Sequence, residues 1–267
     1  MDTDWSVSLV ALGVGALVVL AVMSAGLASA RRTERLTIVD TLWGLGFVAV
    51  GLASALVSLT GDGDPVLPWV LAGLTAVWGV RLSAYLHRRN HGQAEDPRYA
   101  ELASADGRSF AEVALRRVFL PQGIAMYLVA TPLMVGAGTR EPVWWLVGVG
   151  VSVWLLGFVF ESVGDAQLAR FKADPTNRGQ LMDRGLWRYT RHPNYFGDAC
   201  VWTGLWLVAA SSWGGLATVV SPIAMTFFLT KVTGAANNEK GMKKSKPGYD
   251  EYVRRTSGFV PWFPKKA

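Results

Sequence analysis

The sequence predicts an all-α, polytopic membrane protein with seven transmembrane helices. Of its 267 residues 51% are hydrophobic and only 17% are charged, and the mean hydropathy is +0.27. A soluble domain usually carries about 25% charged residues. The apolar residues fall in long runs, and a helix needs about 20 such residues to cross the hydrocarbon core of a bilayer. We therefore expect residues 1–267 to form a single domain embedded in lipid.

Seven apolar segments are long enough to cross the membrane as helices. The first is expected to remain as a span and not to be a signal peptide, because it is long, acidic residues precede it and basic residues follow it. A tail at 234–267 follows the last segment. The predicted spans cover residues 6–30, 37–60, 66–87, 115–137, 142–164, 195–212 and 214–233.

The distribution of basic residues predicts the orientation of these spans. All but three of the 26 lysines and arginines fall in the first, third and fifth connections or in the tail, the exceptions being Arg81, Arg140 and Lys231. Basic residues accumulate in cytoplasmic loops. The pattern predicts an outside N-terminus and a cytoplasmic C-terminus, which requires an odd number of spans.

Composition also excludes several classes of function. The net charge of +6 would suggest nucleic acid in a soluble protein, but here the basic residues are spread over several loops and no nucleic-acid partner is expected. One cysteine, Cys200, excludes an intrachain disulfide. His87 and His91 are four residues apart without an evident third ligand, so no metal site is predicted.

Ionisable residues inside the spans are the first indication of a site, because such residues are costly in a membrane and usually functional. In the predicted spans they all lie in the cytoplasmic third of their helices. We expect them to line a polar cavity that opens to the cytosol. The alternative is that they pair with one another and hold the bundle together. They are Asp40, Arg81, Glu161, Asp165, Asp198 and Lys231.

The most specific segment covers residues 185–198 and ends in a helix start. Pro193 cannot continue a preceding helix. Free backbone N–H groups in the first turn of a helix favour an anion. Arg188, Arg191 and His192 come just before it. The segment therefore predicts donors that converge on a phosphate or on a nicotinamide carboxamide, unless it is only a helix start with an interfacial aromatic belt.

This segment resembles the C-terminal signature of membrane reductases of the steroid 5-alpha-reductase and sterol-reductase superfamily. The wider match is to the bacterial family of unknown function within that superfamily, and it runs from about residue 36 to the end. Isoprenylcysteine carboxyl methyltransferases have a similar Arg-His-Pro-Asn-Tyr piece. The other matching marks are residues 40–44, 89–92, 95–99, 177–179 and 252–264, together with Arg81, Asp165 and Gln167.

The resemblance implies a reductase that takes hydride from NADPH bound at the cytosolic helix ends, with a lipid-like substrate entering from the membrane. Asn194 and Asp198 match the family's Asn-aromatic-aromatic-Gly-acid run and would contact the nicotinamide, and Asp165 would lie near the ribose or adenosine. Candidates for the phosphates are Arg81, Arg89, Asn90, Arg98, Lys172 and Arg178. Further cofactor-binding candidates are Tyr99, Asn177, Tyr189, Arg191, His192, Glu239, Tyr252 and Arg255.

The implied reaction reduces a carbon–carbon double bond conjugated to a carbonyl, so negative charge builds on the carbonyl oxygen. That oxygen needs a hydrogen-bond donor, and the catalytic candidates are Asp40 in its protonated form, Tyr85 and Tyr195. A carboxyl group in an apolar site can stay protonated and donate. The steroid enzymes use a Gln-Glu pair in the second span where this chain has Asp40 and Trp43, so the substrate stays open between steroid-like and other lipids.

Two other functions remain open at this stage. The shared His-Pro-Asn-Tyr turn also fits a methyltransferase that uses S-adenosylmethionine on a lipid or isoprenyl acceptor. A non-enzymatic transporter or lipid-binding membrane protein is the third possibility, although no internal repeat typical of transporters is evident. The bacterial resemblance predicts the inner cell membrane as the location. The sequence does not indicate the oligomeric state or the preference between NADPH and NADH.

Overall fold

The chain is helical throughout the part that the computed structural model describes, which is residues 1–96, 99, 109–232, 239, 241–243 and 246–265. In that part, strand-like pairing is confined to two isolated bridges, Thr3 with Thr139 and Thr190 with Ser257. The principal helices, numbered here in chain order, are α1 Trp5–Thr33, α2 Ile38–Ser58, α3 Leu67–Asn90, α4 Phe110–Gly136, α5 Trp144–Ala173, α6 Pro193–Ala209, α7 Trp213–Val232 and α8 Tyr249–Arg255.

Six of these helices, α1 to α5 and α7, are 20 to 30 residues long and apolar enough to cross a membrane. This confirms the prediction of an all-α, multi-pass membrane protein. Helix α6 has 17 residues. At 1.5 Å per residue it measures about 26 Å, slightly less than the roughly 30 Å hydrocarbon core. The count of seven spans and the orientation of the termini stay predictions.

Two helices extend past their predicted ends. Helix α3 ends at Asn90 and not at 87, and α5 ends at Ala173 and not at 164. Asp165 and Lys172 therefore lie on α5, past the end of the predicted span at 164. The apolar run marks where the hydrocarbon ends, whereas the helix continues through good helix formers and closes with basic residues that favour its C-terminus.

The chain divides into two compact units, of which the first comprises Met1–Val147 and Leu205–Ser221. In this unit α2 and α3 pack with their backbones almost in contact. A Cβ atom on Gly44 would lie 2.4 Å from the carbonyl oxygen of Gly79. Small residues permit this close approach between membrane helices. The start of α2 is thereby held against the end of α3, where polar side chains of this unit gather.

The N-terminal end of α1 is fixed by hydrogen bonds within the same unit. The carboxylate of Asp4 accepts from the backbone N–H of Ser6 and Val7, and Arg140 Nη2 donates to it at 2.7 Å. Hydrogen bonds from Ser6 and Arg140 lower the pKa of Asp4 to about 2. Asp4 is thus a charged N-cap at physiological pH, the form that best stabilises a helix start.

The second unit comprises Gly148–Gly204 and Pro222–Ala267. Its helices α5 and α6 also approach at glycines. A Cβ atom on Gly157 would lie 2.5 Å from the carbonyl oxygen of Gly197, and one on Gly197 would lie 2.4 Å from the backbone nitrogen of Glu161. Because glycine has no side chain, the two backbones come close at these points, and the polar residues one turn away are brought together between α5 and α6.

Candidate functional site

Helix α6 begins at Pro193, two residues before the predicted 195. Proline suits the first position of a helix because its missing N–H would have no helical partner there. The residues just before it are held by the tail, since the backbone N–H of Arg191 donates to the carbonyl of Ser257 at 2.9 Å. Asn194 and Tyr195 consequently occupy the first turn of α6.

The structure brings together Asn194 and Asp165, two residues that the sequence analysis assigned to the cofactor. The Asn194 side-chain nitrogen donates to Asp165 Oδ1 at 3.2 Å. The Asn194 side-chain oxygen accepts from the backbone N–H of Tyr195 at 3.1 Å. The side-chain amide of Asn194 is therefore oriented from both ends, with its oxygen turned to the backbone of α6 and its nitrogen turned to α5.

Three carboxylates are buried on the facing sides of α5 and α6. Glu161, Asp165 and Asp198 are 3%, 4% and 8% exposed. Removing a charged carboxylate from water costs several kcal/mol, and proteins keep such groups when partners or a function compensate. Glu161 was expected to line a polar cavity with the other ionisable residues, but it was not among the residues assigned to the cofactor or to catalysis. Its spacing of four residues from Asp165 was the signal, because that spacing puts both on one face of a helix.

The tail contributes a carboxylate to the start of α6. Glu239 Oε1 lies 2.9 Å from Arg191 Nε and 2.9 Å from His192 Nε2. The ring of His192 stacks on that of Tyr195, with centroids 5.5 Å apart and planes inclined by 14°. These four predicted site residues therefore form one contact group, called here the tail latch.

Charges in the tail latch are set by burial and by hydrogen bonding. Burial lowers the pKa of His192, although the hydrogen bond to Glu239 opposes the shift. Burial by itself raises the pKa of Glu239, but hydrogen bonds from Arg191 and His192 outweigh that effect and the net pKa is lowered. At neutral pH the latch therefore consists of a neutral imidazole and a guanidinium, both donating to one carboxylate.

The last helix anchors the tail to the segment before α6. The hydroxyl of Tyr252 donates to the carbonyl of Trp187, and Arg255 pairs with Asp183. Tyr252 is 2% exposed, and burial raises its pKa. Both Tyr252 and Arg255 were predicted to bind the cofactor. The structure shows them tying the tail to residues 183–188, and cofactor binding by them stays a prediction.

Gln167 and Gly185 shape the same segment, although the sequence analysis gave them no role in the site. Gln167 Oε1 accepts from the backbone N–H of Leu186 at 2.9 Å. Gly185 has a φ of 58°, and a Cβ atom there would lie 2.5 Å from the Gln167 side chain. Only glycine fits both the left-handed backbone and this approach. Trp187 then reaches α5, its ring N–H donating to the carbonyl of Gly164 at 3.1 Å.

The remaining predicted cofactor residues of this unit are more exposed. Lys172 and Arg178 are exposed at the end of α5 and in the turn after it. The side chain of Asn177 donates to the carbonyl of Phe171 at 3.1 Å, which closes the end of α5. Tyr189 is 38% exposed. Lys172 and Arg178 thus place two cations at the surface of the unit. The carboxylates of Asp165 and Asp198 are buried, and the amide of Asn194 is half-buried.

In the first unit, four predicted site residues form a separate cluster around Asp40. Its carboxylate accepts from the hydroxyl of Tyr99 at 2.8 Å and from the side-chain nitrogen of Asn90 at 3.3 Å, and Arg89 lies 3.6 Å away. We refer to this group as the Asp40 cluster. Asp40 is the acceptor in these hydrogen bonds, so to act as the protonated donor predicted from the sequence it would have to carry a proton on one of these oxygens.

Glu95 is a residue of this unit that the sequence analysis quoted in a motif but gave no role. Its carboxylate accepts from the backbone N–H groups of Leu36 and Thr37, at 2.6 and 3.2 Å, and from the Thr37 hydroxyl. It thereby caps α2, whose own N-cap side chain makes no such bond. A carboxylate at a helix N-terminus is favourable, but a cap that is 58 residues away cannot be read from local sequence.

The other predicted residues of the first unit are Arg81, Tyr85 and Arg98. Arg81 and Tyr85 are half-buried on the last turns of α3. Arg98 lies outside the described residues. At the end of α3, the ring centroids of His87 and of His91, which follows the helix, are 5.6 Å apart. Among the residues that the structure describes, no three His, Cys, Asp or Glu side chains are grouped to hold a metal ion.

The chain matches one protein family over most of its length. The profile of a family described as "Protein of unknown function (DUF1295)" matches residues 26–256. The protein called steroid 5-alpha-reductase DET2, from Arabidopsis thaliana, is 37% identical over 75 residues. Those residues are 27% of this chain and 28% of the Arabidopsis protein, so the match spans less than a third of either. No solved structure matches the chain significantly.

Proposed function

Because the chain belongs to the DUF1295 family of the steroid 5-alpha-reductase superfamily, we propose that it is a membrane reductase that uses NADPH. Its substrate would be a steroid-like or other lipid with a carbon–carbon double bond conjugated to a carbonyl, entering from the bilayer. The observation that carries the proposal is the contact between Asn194 and the buried carboxylate of Asp165, because the superfamily resemblance assigns Asn194 to the nicotinamide and Asp165 to the ribose or adenosine.

The donor set of the second unit fits the chemistry of NADPH. A nicotinamide carboxamide both donates and accepts, and ribose hydroxyls donate to carboxylates. Asp165 and Asp198 supply carboxylates in buried positions, and Asn194 supplies a half-buried amide. The phosphates need cations that water can reach, and Lys172 and Arg178 are exposed in the same unit. The half-buried amide and the buried carboxylates would thus hold the nicotinamide and a ribose, and the exposed cations would hold the phosphates.

Bound NADPH would supply a hydride to the β-carbon of the substrate. The task of the chain is then to hold the carbonyl oxygen of the substrate next to a hydrogen-bond donor. A donor placed in advance where negative charge develops is typically worth about 3 kcal/mol of barrier. We favour Tyr195 for this role, because its ring is fixed by stacking on His192 in the first turn of α6. Tyr85 on α3 is the second candidate.

Asp40 is better assigned to positioning than to donation. It accepts from Tyr99 and Asn90 and contacts Arg89, so its charge holds the end of α3 and the following loop. A hydrogen bond to a charged group contributes about 1.5–3 kcal/mol. To act as an acid toward a substrate, Asp40 would need a proton on one of the two oxygens that accept from Tyr99 and Asn90.

Direct binding of the cofactor tests the proposal. The purified protein in lipid nanodiscs is titrated with NADPH and, separately, with S-adenosylmethionine, and the melting temperature is followed. A ligand that binds only the folded state raises the melting temperature in proportion to its saturation. We expect NADPH to stabilise the protein and S-adenosylmethionine to have no effect. The reverse result would identify a methyltransferase.

Asn194→Ala is the variant that links this binding to the site. It removes both hydrogen bonds of the side chain, and we expect NADPH affinity to fall at least about tenfold. Thr203→Ala is the matched control on the same helix, because it removes only a hydrogen bond to the carbonyl of Ala199. Equal NADPH affinities for Asn194→Ala, Thr203→Ala and the unaltered protein would refute the proposed site.

A further inference from the structure

One carboxylate oxygen of Glu239, in the tail, contacts both residues that precede the start of α6 at Pro193. Glu239 Oε1 accepts from Arg191 Nε and from His192 Nε2, each at 2.9 Å. Arg191 has further anchors in the tail, because its Nη1 donates to the carbonyl of Thr256 at 3.0 Å. Loss of Glu239 would therefore leave Arg191 partly held, while it would remove the acceptor that faces the His192 ring.

The imidazole of His192 is in a position to transmit the orientation of that carboxylate. Its side chain is 3% exposed, and its ring lies against the ring of Tyr195. A neutral imidazole carries its proton on either nitrogen, and its hydrogen-bond partner selects which. An ionised carboxylate only accepts, so Glu239 selects the form with the proton on Nε2. The ring orientation and the tautomer are thereby fixed together.

Only one residue separates this imidazole from the proposed nicotinamide contact. Pro193 has a fixed φ, so the backbone between His192 and Asn194 has little freedom. Asn194 in turn donates to Asp165 across the unit. The tail, the imidazole and the side-chain amide of Asn194 thus form a continuous series of contacts within the second unit, in which each member has a defined orientation.

We propose that Glu239 is a positioning residue, which acts through His192 to orient Tyr195 and the side-chain amide of Asn194. The proposal rests on the proposed function for the identity of the group that Asn194 holds. Glu239 itself need not touch the cofactor. Partners that orient the groups in direct contact with a ligand are often as important to binding as the contacts themselves.

This role makes a prediction that a purely structural role does not make. If Glu239 acts through Asn194, loss of Glu239 weakens only the binding of the part of the cofactor that Asn194 contacts, which is the nicotinamide. Adenosine 2′,5′-bisphosphate contains the adenosine and phosphate part of NADPH and lacks the nicotinamide. Comparison of the two ligands on one variant therefore separates a local loss of orientation from a general loss of folded protein.

The experiment measures both affinities for the full chain in nanodiscs. For Glu239→Ala we expect NADPH affinity to fall about tenfold and affinity for adenosine 2′,5′-bisphosphate to stay within about twofold. Glu239→Gln keeps an acceptor oxygen and should retain most of the NADPH affinity. Glu251→Ala, an exposed carboxylate on α8, is the matched control and should leave both affinities unchanged. If Glu239→Ala does not fold, Glu239→Asp replaces it, because its shorter side chain withdraws the carboxylate.

A double substitution tests whether the effect passes through His192. If it does, the loss of NADPH affinity in Glu239→Ala/His192→Ala equals that in His192→Ala alone, because contacting residues are not additive. Additive losses of NADPH affinity in the double variant would overturn the proposal. An equal loss of affinity for both ligands in Glu239→Ala, or no loss of affinity at all, would also overturn it.

A measurement without any cofactor separates failure of this proposal from failure of the proposed function. The chain has only three histidines, so their ring nitrogens can be resolved by NMR after isotope labelling, with His192→Gln identifying the signal. We expect a single tautomer protonated at Nε2 in the unaltered protein and a mixture in Glu239→Ala. An unchanged tautomer in the variant would refute the positioning role, whether or not the protein binds NADPH.

Discussion

The side-chain nitrogen of Asn194 donates to the carboxylate of Asp165 at 3.2 Å, and this bond joins the first turn of α6 to the last third of α5. Helix α6 carries two residues that allow it. Pro193 sets the start of α6, and Gly197 lets the two backbones approach. The contact between two residues that are 29 positions apart in sequence therefore depends on one proline and one glycine.

We expect Asp165→Asn to weaken NADPH binding about tenfold while the protein remains folded. The substituted amide keeps the shape of the side chain and removes the charge that would accept from ribose hydroxyls, and charged hydrogen bonds are about twice as strong as neutral ones. Affinity is measured by fluorescence titration in nanodiscs. Asp174→Asn is the control, because Asp174 is exposed and bonds only to nearby Thr176 in the described contacts. An Asp165→Asn protein with unaltered affinity would exclude Asp165 from the cofactor site.

Gly197→Ala should destabilise the second unit. A Cβ atom at this position would lie 2.4 Å from the backbone nitrogen of Glu161, so α5 and α6 would have to separate. Overpacking of this kind typically costs about 1–3 kcal/mol. Gly148→Ala is the control on α5, because no other atom comes within 4 Å of its added Cβ. In nanodiscs the melting temperature should fall for Gly197→Ala and not for Gly148→Ala. Equal melting temperatures for both variants and the unaltered protein would show that α5 and α6 are not packed this closely.

Much of the helical architecture could be predicted from the sequence, because long apolar runs and basic flanks follow directly from the cost of burying charge in lipid. Asp165 and Asn194 were each assigned to the cofactor only through the family resemblance, and the contact between them was not predicted. Neither Glu95 nor Gln167 could be recognised in these roles, since each accepts from backbone groups far along the chain. A polar side chain that bonds to a distant backbone leaves no periodic signal, whereas an apolar face does.

The stability of the protein should decrease as the pH falls below about 6.5. The pKa of His192 is lowered in the folded state from its ordinary value of 6.5, chiefly by burial. The unfolded chain therefore binds a proton first on acidification, which draws molecules out of the native state. The lowered pKa of Glu239 acts in the same direction below its ordinary 4.5.

Thermal melting at pH values from about 7.5 to about 5.5 measures this effect. The fall in melting temperature should be smaller in His192→Gln, which has no titrating ring, than in the unaltered protein. His87→Gln is the control, because His87 is exposed. If His192→Gln and the unaltered protein lost stability equally over this range, His192 would not be the group responsible.

The predicted orientation can be tested with single cysteines. Cys200→Ser removes the one native thiol, and Glu141→Cys or Glu251→Cys then introduces a thiol at an exposed position. With an outside N-terminus and seven spans, a membrane-impermeant maleimide should label Glu141→Cys in intact cells and Glu251→Cys only after lysis. Labelling of both in intact cells would contradict the cytoplasmic tail and would imply an even number of spans between them.

Tyr99→Phe tests whether the Asp40 cluster holds the segment after α3. The substitution removes the hydroxyl that donates to Asp40 at 2.8 Å and keeps the ring, which is 9% exposed. Loss of a hydrogen bond to a charged group should cost about 1.5–3 kcal/mol, because the carboxylate loses a donor in a half-buried position. The free energy of unfolding measures this cost.

In Tyr99→Phe/Asp40→Asn the cost should be less than the sum of the costs of the two single variants, since both remove the same bond. Tyr127→Phe, whose hydroxyl makes only a 3.4 Å contact with the carbonyl of Leu12, is the control. Strict additivity would mean that Tyr99 and Asp40 act independently, and the segment would then depend on Glu95 for its attachment to α2.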